Sequence, residues 1–404
     1  MENKTDPETL QVEPADQEAL DAFSTRHVGA IAMAHGVHDM YSGFLPPMLP
    51  ILIEKLGLNN LGGGSLTLFY SLPSLMQPVF GSIADHRNLK IMVSLAPLIT
   101  GIMMTLLGLV PSPVIMMGML IVGGLSSAAL HAIGPALNSK HAGKKIGRGM
   151  SFWVNAGSMG YALGSLIFVS AYDLLGFTRL PIMAVIGAVV SVLVWRWLKD
   201  ADTRALGEKT STAHRKDWRR VLRTMLPVAF IIATRAVMVV MLSTYFPAFL
   251  REGGASTWVS GAGMTLLFAA GVVGSYVAGS LSDRVNRLHI LMVTTIALMG
   301  FMLLLLRVRG WLQIPVLLLI GFSEIAAIPV LMTHVQEAFR EDRAFINGLF
   351  LAFNFAGSAL AVPLVGRLAD LYSFRTTFQL GAWILPLGLL GLGWMFLQRK
   401  KQAE

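Results

Sequence analysis

The sequence predicts an all-α membrane protein with twelve transmembrane helices, arranged as two pseudo-symmetric bundles of six. Three observations predict this fold class: an apolar composition, the regular recurrence of long apolar runs, and a repeat between the two halves of the chain. Hydrophobic residues make up 54% of the 404 residues and charged residues only 14%, whereas a soluble domain carries roughly 25% charged residues. The mean hydropathy is +0.63. Because backbone amides in hydrocarbon need internal partners and barrel strands would alternate over short stretches, the runs are expected to be helices.

Apolar runs long enough to cross a hydrocarbon layer of roughly 30 Å as helices recur along the chain. In the first half they lie at residues 27–54, 61–84, 90–110, 113–138, 147–171 and 179–198. In the second half they lie at residues 224–250, 257–282, 288–306, 312–336, 344–366 and 376–397. The predicted divisions are a cytoplasmic N-terminal tail at 1–26, an N-terminal bundle at 27–198, a cytoplasmic linker at 199–223, a C-terminal bundle at 224–397 and a cytoplasmic tail at 398–404.

The Lys and Arg residues between the runs indicate the orientation. Of the 32 Lys and Arg residues, Arg235 lies inside a run, and few lie on the side away from the termini: Lys55, Arg179, Arg251, Arg307, Arg309, Arg367 and Arg375. Both termini are therefore expected to be cytoplasmic. The basic linker is interpreted as an inside-facing loop near anionic lipid, and not as a nucleic-acid site. The chain has no Cys, which excludes a disulfide framework and a thiolate metal site.

Two connecting loops at corresponding places in the halves share a pattern. The second run is followed by Gly81-Ser-Ile-Ala-Asp85-His-Arg87-Asn-Leu-Lys90, and the eighth by Gly279-Ser-Leu-Ser-Asp283-Arg284-Val-Asn-Arg287. The six-plus-six layout, the linker and these paired loops resemble the major facilitator superfamily, whose loop signature is Gly-x-x-x-Asp-Arg-x-Gly-Arg-Arg. The first copy departs from that signature by having His86 after the aspartate. The resemblance implies transport by alternating access between two rocking halves.

Three further motifs are similar to those of the fosmidomycin-resistance branch, a group of bacterial drug efflux proteins. They are His35-x-x-x-Asp39-x-Tyr41-x-Gly43-x-Leu45-Pro46 in the first run, Leu130-His131 in the fourth, and Gly147-Arg148-Gly149-Met150-Ser151 at the start of the fifth. The branch usually shows Phe-His-Pro where this chain has Leu130-His131-Ala132. The resemblance implies a multi-pass protein of the bacterial inner (plasma) membrane.

Six ionisable side chains lie inside the apolar runs, where an unpaired charge costs at least about 2.5 to 3.5 kcal/mol. They are His35, His38, Asp39, His131, Arg235 and Glu324. They lie on runs one, four, seven and ten, which the superfamily resemblance implies to be the lining of a central cavity. The first three are spaced so that one face of a helix can present all of them.

Asp39 is the predicted proton carrier, and the other predicted proton-coupling residues are Glu324, His35 and His38. The proton occupancy of a buried carboxylate responds to nearby charge and to solvent access. The alternatives are a permanently paired structural aspartate and neutral histidines that only pack. Metal ligation by the histidines has no supporting carboxylate cluster in the sequence, so neither a metal site nor a cofactor is predicted.

Arg235 cannot lose its charge and is interpreted as an anion clamp for the substrate. The alternative is a fixed salt bridge to Asp39 or Glu324, and Glu324 is then a counter-ion instead of a protonation site. The remaining predicted substrate-binding residues are polar side chains of the runs: His131, Tyr41, Asn155, Tyr245 and Asn354.

The paired loops predict gating residues at the cytoplasmic face. Asp85 and Asp283 are expected to cap the following helix and to pair with basic side chains in an interlock that breaks as the halves move. The candidate basic partners are Arg87, Lys90, Arg284 and Arg287. The alternative is a charged turn that only sets topology. In the fifth run, a stripe of small residues permits close helix packing, namely Gly157, Gly160 and Gly164.

These features predict a secondary active transporter and not an enzyme. The favoured function is proton-coupled efflux of a small anionic or amphiphilic compound, a drug or a metabolite, by alternating access. The alternatives are uptake of an organic anion by proton symport, and a membrane receptor or assembly factor that transports nothing. The expected partners are the small-molecule substrate, protons and the lipid bilayer, with no nucleic acid. The chain is expected to be a monomer.

Overall fold

The computed structural model describes residues 23–201, 218–282, 284–339 and 343–403. Every regular element within these ranges is a helix. Nine stretches of the described residues are long and apolar enough to cross a membrane. One of them, Arg148–Trp197, covers all but one residue of each of the fifth and sixth predicted runs. The first two runs are broken into shorter helices and are not among the nine. The all-α fold with twelve segments is therefore confirmed. The predicted tail up to residue 22 and the linker from 202 to 217 lie outside the described residues.

The first six segments place the N-terminal half. Segment one consists of Thr25–Ser42 and Leu45–Leu56, and segment two of Asn60–Ser71, a 3₁₀ turn at Leu72–Met76 and Gln77–His86. Segments three to six are Lys90–Leu106, Pro113–His141, Ile146–Arg179 and Ala184–Trp197. Segment five is interrupted near its end by Gly176, whose φ of 62° suits a residue without a Cβ.

The second half repeats the pattern. Segment seven consists of Trp218–Val240, a π turn at Met241–Tyr245 and Phe246–Glu252, and segments eight to eleven are Thr257–Leu281, Arg287–Leu305, Gln313–Ala338 and Arg343–Leu371. Segment twelve consists of Phe374–Ile384, Leu385–Leu387 and Gly388–Ala403. In segments one and seven the second helix begins with Pro46 or Pro247 in its first turn. Proline suits that position because the amide it lacks would have no partner there.

Each half contains two hydrophobic cores, one near the chain termini and one at the opposite end of the segments. In segment one, Ala34 belongs to the first core and Met40 to the second. In segment seven, Ile232 belongs to the core near the termini and Ala236 to the core at the opposite end. The ionisable side chains of both segments therefore lie at the level where the two cores of a half meet.

The two halves contact each other at the end away from the termini. Both oxygens of the Asp370 carboxylate accept hydrogen bonds from the first amides of segment two, Asn60 N at 2.8 Å and Leu61 N at 3.0 Å. Segments five and eight are joined by Thr265, whose Oγ1 donates to the Ala162 carbonyl at 2.7 Å. These contacts close that end of the molecule.

Candidate functional site

Segment one presents its three ionisable residues as the helical spacing predicts. His35 Nε2 lies 3.1 Å from Asp39 Oδ2, one helical turn away. His38 Nε2 lies 3.8 Å from the other carboxylate oxygen of Asp39. The His38 side chain is fully buried, and the Asp39 side chain keeps 17% of its surface exposed. One helix thus surrounds a single carboxylate with two imidazoles.

A third imidazole comes from segment four. His131 Nε2 lies 3.2 Å from His35 Nε2 and 3.9 Å from Asp39 Oδ1. The sequence predicts His131 as a separate substrate contact, but its ring lies in the same cluster as Asp39. We refer to His35, His38, Asp39 and His131 as the histidine–aspartate cluster.

Backbone carbonyls determine which ring nitrogens of the cluster carry hydrogen. His35 Nδ1 lies 2.9 Å from the Trp153 carbonyl, and His131 Nδ1 lies 2.9 Å from the Ser127 carbonyl. A carbonyl oxygen only accepts, so each Nδ1 must be the donor. In the neutral rings both Nε2 atoms therefore carry lone pairs, which point toward each other and toward the carboxylate. Three acceptors meet with no donor between them unless a proton or a cation is bound.

Segment five packs tightly over His35 and supplies contacts that the sequence did not predict. The Trp153 ring stacks on the His35 ring with centroids 3.7 Å apart. A methyl group at Gly157 would overlap the His35 ring, and one at Gly160 would overlap the Gly36 carbonyl. The glycine stripe was the available signal for this close approach, whereas no pattern in the sequence pointed to Trp153.

Further polar residues hold the deeper side of the cluster. His38 Nδ1 and Thr100 Oγ1 share a hydrogen bond of 2.8 Å. Next to them, Ser42 Oγ and the Tyr70 hydroxyl lie 2.5 Å apart. Sequence reasoning missed Thr100 and Tyr70, because single hydroxyl residues in apolar helices give no periodic signal.

The second half holds its two ionisable residues as an ion pair. Arg235 Nη2 donates to Glu324 Oε2 at 2.9 Å and to the Glu324 backbone carbonyl at 2.7 Å. Each residue is only 5% exposed. The salt bridge to Glu324 that was the alternative interpretation of Arg235 is therefore present, and the predicted anion-clamp role stays a prediction.

A cavity of about 990 Å³ lies between segments five and eight and reaches the cluster. Its polar wall includes His35, Asp39 and His131, and its apolar wall includes Phe268 and Val272. The lining continues to Met150 and Tyr276, which lie toward the terminal side of the molecule. Among the described residues of this lining, Asp39 is the one that carries a charge, and neither Arg235 nor Glu324 is part of it.

The remaining predicted substrate-binding residues fall in different surroundings. Asn155 lines the cavity. Asn354 donates to the Phe350 carbonyl within its own helix. Both tyrosines are fully buried: the Tyr41 hydroxyl donates to the Met183 carbonyl, and the Tyr245 hydroxyl donates to the Val362 carbonyl at 3.0 Å. Their substrate contacts stay predictions.

The predicted gating loops are described only in part. Asp283 and the side chain of Asp85 lie outside the described residues. Lys90 Nζ donates to the Lys199 carbonyl, and Arg284 is exposed. Arg287 forms a two-pronged pair with Glu337, with Nη2 2.8 Å from Oε1. The start of segment nine is capped by Asn286, whose Oδ1 accepts from Leu288 N at 3.0 Å.

Twelve helical segments in two similar halves, with ionisable side chains beside a cavity between the halves, define a secondary transporter. Residues 31–361 match the sequence model of the Major Facilitator Superfamily, and a further match covers residues 264–404. The chain belongs to this superfamily, whose members are transporters and not enzymes.

Individual relatives agree with this assignment. The fosmidomycin resistance protein of Escherichia coli (strain K12) is 22% identical over 375 residues, which cover 90% of this chain and 91% of that protein. The multidrug resistance protein MdtG of Yersinia enterocolitica is 21% identical over 379 residues, covering 89% of this chain and 90% of that protein. The crystal structure of the nucleoside transporter NupG superposes with a TM-score of 0.72 at 14% identity, covering 91% of this chain and 99% of that chain.

Proposed function

We propose that the protein is a proton-coupled exporter of small amphiphilic compounds, located in a bacterial inner membrane with both termini in the cytoplasm. Two relatives are named for resistance to fosmidomycin and to multiple drugs. The observation that carries the proposal is the meeting of the His35 and His131 Nε2 atoms with the Asp39 carboxylate at the cavity wall.

A proton bound in the cluster removes the repulsion between the three acceptors. Protonated His35 donates from Nε2 to Asp39, and the Trp153 carbonyl still accepts from its Nδ1. The cluster would take up this proton when the cavity faces the outside and release it to the cytoplasm when cargo binds. Proton entry would then drive cargo export.

The cavity favours an amphiphilic cargo over an anionic one. Most of its exposed lining is apolar, and Asp39 is the one charged side chain that the described part of the chain contributes to it. A carboxylate attracts cationic or hydrogen-bond-donating groups and repels anions. Arg235 would bind an anion only after its ion pair with Glu324 breaks, in which Arg235 Nη2 lies 2.9 Å from Glu324 Oε2.

Alternating access in this proposal requires the contacts at the end away from the termini to break. Those contacts join segment two to segment eleven through Asp370, and segment five to segment eight through Thr265. Residues 27–198 and 224–397 would move as the two rocking halves, with 199–223 as the connector. A single chain supplies both walls of the cavity, which supports a monomer as the working unit.

Inverted vesicles with an acidic lumen test the proposal. A thermal-shift screen of antibiotics and metabolites, including ethidium and fosmidomycin, selects the probes. Adding a transported probe should alkalinise the lumen, since protons leave as cargo enters. Asp39→Asn should abolish gradient-driven accumulation, while the surface variant Glu54→Gln keeps it. Protons and cargo moving in the same direction would indicate symport instead, and full accumulation by Asp39→Asn would rule out its coupling role.

A further inference from the structure

We propose that the histidine–aspartate cluster binds a divalent transition-metal cation such as Zn²⁺ or Co²⁺, with His35, Asp39 and His131 as ligands and His38 as a fourth. The inference goes beyond the proposed function, because it depends on the geometry of the cluster and not on proton coupling or the direction of transport.

The ligand atoms have the spacing of a small coordination shell. One ligand atom each from His35, Asp39 and His131 can be chosen so that all three lie within 4.8 Å of one another. The observed pairs are 3.2 Å for the two Nε2 atoms, 3.1 Å for His35 to Asp39 and 3.9 Å for His131 to Asp39. Ligands about 2.1 Å from a tetrahedral zinc ion are about 3.4 Å apart. A cation therefore fits with only small side-chain adjustments.

The histidine tautomers are already those that metal binding needs. The Nδ1–H groups of His35 and His131 donate to the carbonyls of Trp153 and Ser127. Such contacts orient a metal-ligating imidazole and leave its Nε2 lone pair for the cation. The Trp153 ring, stacked on His35, further restricts rotation of that side chain.

His38 gives an independent indication of a ligand. Its Nε2 atom is buried and has no hydrogen-bond partner among the described residues. The atom lies 3.8 Å from Asp39 Oδ1. A buried nitrogen without a partner is costly, and coordination to a cation held by the other three residues would satisfy it.

The chemistry of the donors and the access route define the class of cation. Three imidazoles and one carboxylate favour zinc, cobalt, nickel or copper over magnesium and calcium, which prefer oxygen ligands. The His131 side chain is 33% exposed and lines the 990 Å³ cavity together with His35 and Asp39. A hydrated cation can therefore reach the cluster from the cavity.

Binding is measured on the purified full-length protein, carrying no histidine tag, in detergent and without a proton gradient. Titration calorimetry with Zn²⁺ should give one site per chain, and Co²⁺ should give the intense visible absorption of tetrahedral coordination. Removing a ligand in His131→Gln should weaken binding by about tenfold or more, because even outer partners of metal sites matter by that factor. The exposed His289→Gln is the matched control and should bind as the parent does.

Three results would overturn the inference: no saturable Zn²⁺ binding, equal weakening by His131→Gln and His289→Gln, or loss of binding in His141→Gln. The last result would move the metal to the stacked pair His27 and His141, whose rings lie 4.2 Å apart. If His131→Gln does not fold, the isosteric Asp39→Asn gives the same comparison. A chain that exchanges cargo for protons but binds no metal would refute this inference alone, and a chain that binds metal without transporting would refute only the proposed function.

Discussion

Replacing Glu324 in segment ten by leucine removes the carboxylate that neutralises the charge of Arg235. Arg235 is 5% exposed, and among the described residues its guanidinium then keeps the Glu324 backbone carbonyl, at 2.7 Å, as its one acceptor. In the parent protein its Nη1 already has no hydrogen-bond partner among the described residues. Because arginine cannot lose its proton, the variant must bury an uncompensated cation.

The expected loss in the free energy of unfolding is about 3 to 5 kcal/mol, the range for breaking a buried pair from one side. Arg235→Met should cost less, since Glu324 can become neutral by taking up a proton. In the double variant, Arg235→Met with Glu324→Leu, neither charge is present. Its unfolding free energy should return to within about 1 to 2 kcal/mol of the parent, because apolar pairs often replace buried ion pairs without loss.

An unfolding titration with SDS from mixed micelles measures all three variants. The matched control is Glu54→Gln, which removes an exposed ion pair: Arg251 Nη2 lies 3.2 Å from Glu54 Oε2, and the Glu54 side chain is 75% exposed. Exposed pairs contribute about 0 to 1 kcal/mol. If Glu324→Leu costs no more than this control, or the double variant is as unstable as the two single losses combined, the pair is not a structural element. A stable double variant that no longer couples transport to protons would show that the pair is needed for coupling and not for stability.

Two further predictions concern helix packing and the closed end of the molecule. Gly160→Ala should lower the unfolding free energy by about 1 to 3 kcal/mol, the usual range for overpacking, because the added methyl group would overlap the Gly36 carbonyl. The control is Gly29→Ala, which has open space around it and should not destabilise the protein in the same SDS titration. Tyr245→Phe should loosen the contact between halves, since the Tyr245 hydroxyl lies 3.2 Å from the Asn60 carbonyl of the other half. Tyr41→Phe should not, since the hydrogen-bond partners of the Tyr41 hydroxyl within the described chain are Met183 and Gly187 of its own half. The chain has no Cys, so labelling of Ala162→Cys by an impermeant maleimide from the side away from the termini reports the opening. Equal labelling in the two tyrosine variants would contradict the reasoning.

The part of the site that follows from helical periodicity could be predicted from the sequence. His35, His38 and Asp39 are neighbours on one helix, and their spacing alone places them together. His131 is different, because its meeting with Asp39 depends on how segment four packs against segment one. Periodicity gives the face of a helix but not its depth or rotation relative to another helix. The choice of Arg235 between Asp39 and Glu324 as partner was open for the same reason.

The tyrosines show a second limit of sequence reasoning. Tyr41 and Tyr245 are predicted from the sequence to bind substrate as polar side chains of segments one and seven. In the structure their hydroxyls donate to backbone carbonyls, and the Tyr245 ring is fitted against Gly64 and Gly366. A glycine opposite a buried tyrosine is a tertiary match between distant segments, and neither position reveals it alone.

The two halves place charge at corresponding levels but treat it differently. In the second half, Arg235 and Glu324 neutralise each other, are 5% exposed and lie outside the cavity lining. In the first half, the charged partners of Asp39 among the described residues are imidazoles, whose charge depends on bound protons, and the cluster opens on the cavity. A fixed pair sealed between two cores resists change in charge, whereas a carboxylate among lone-pair donors requires a cation or proton to be stable. This difference is why the proposed exchange of protons or cations with the cavity is placed in the first half and not in the second.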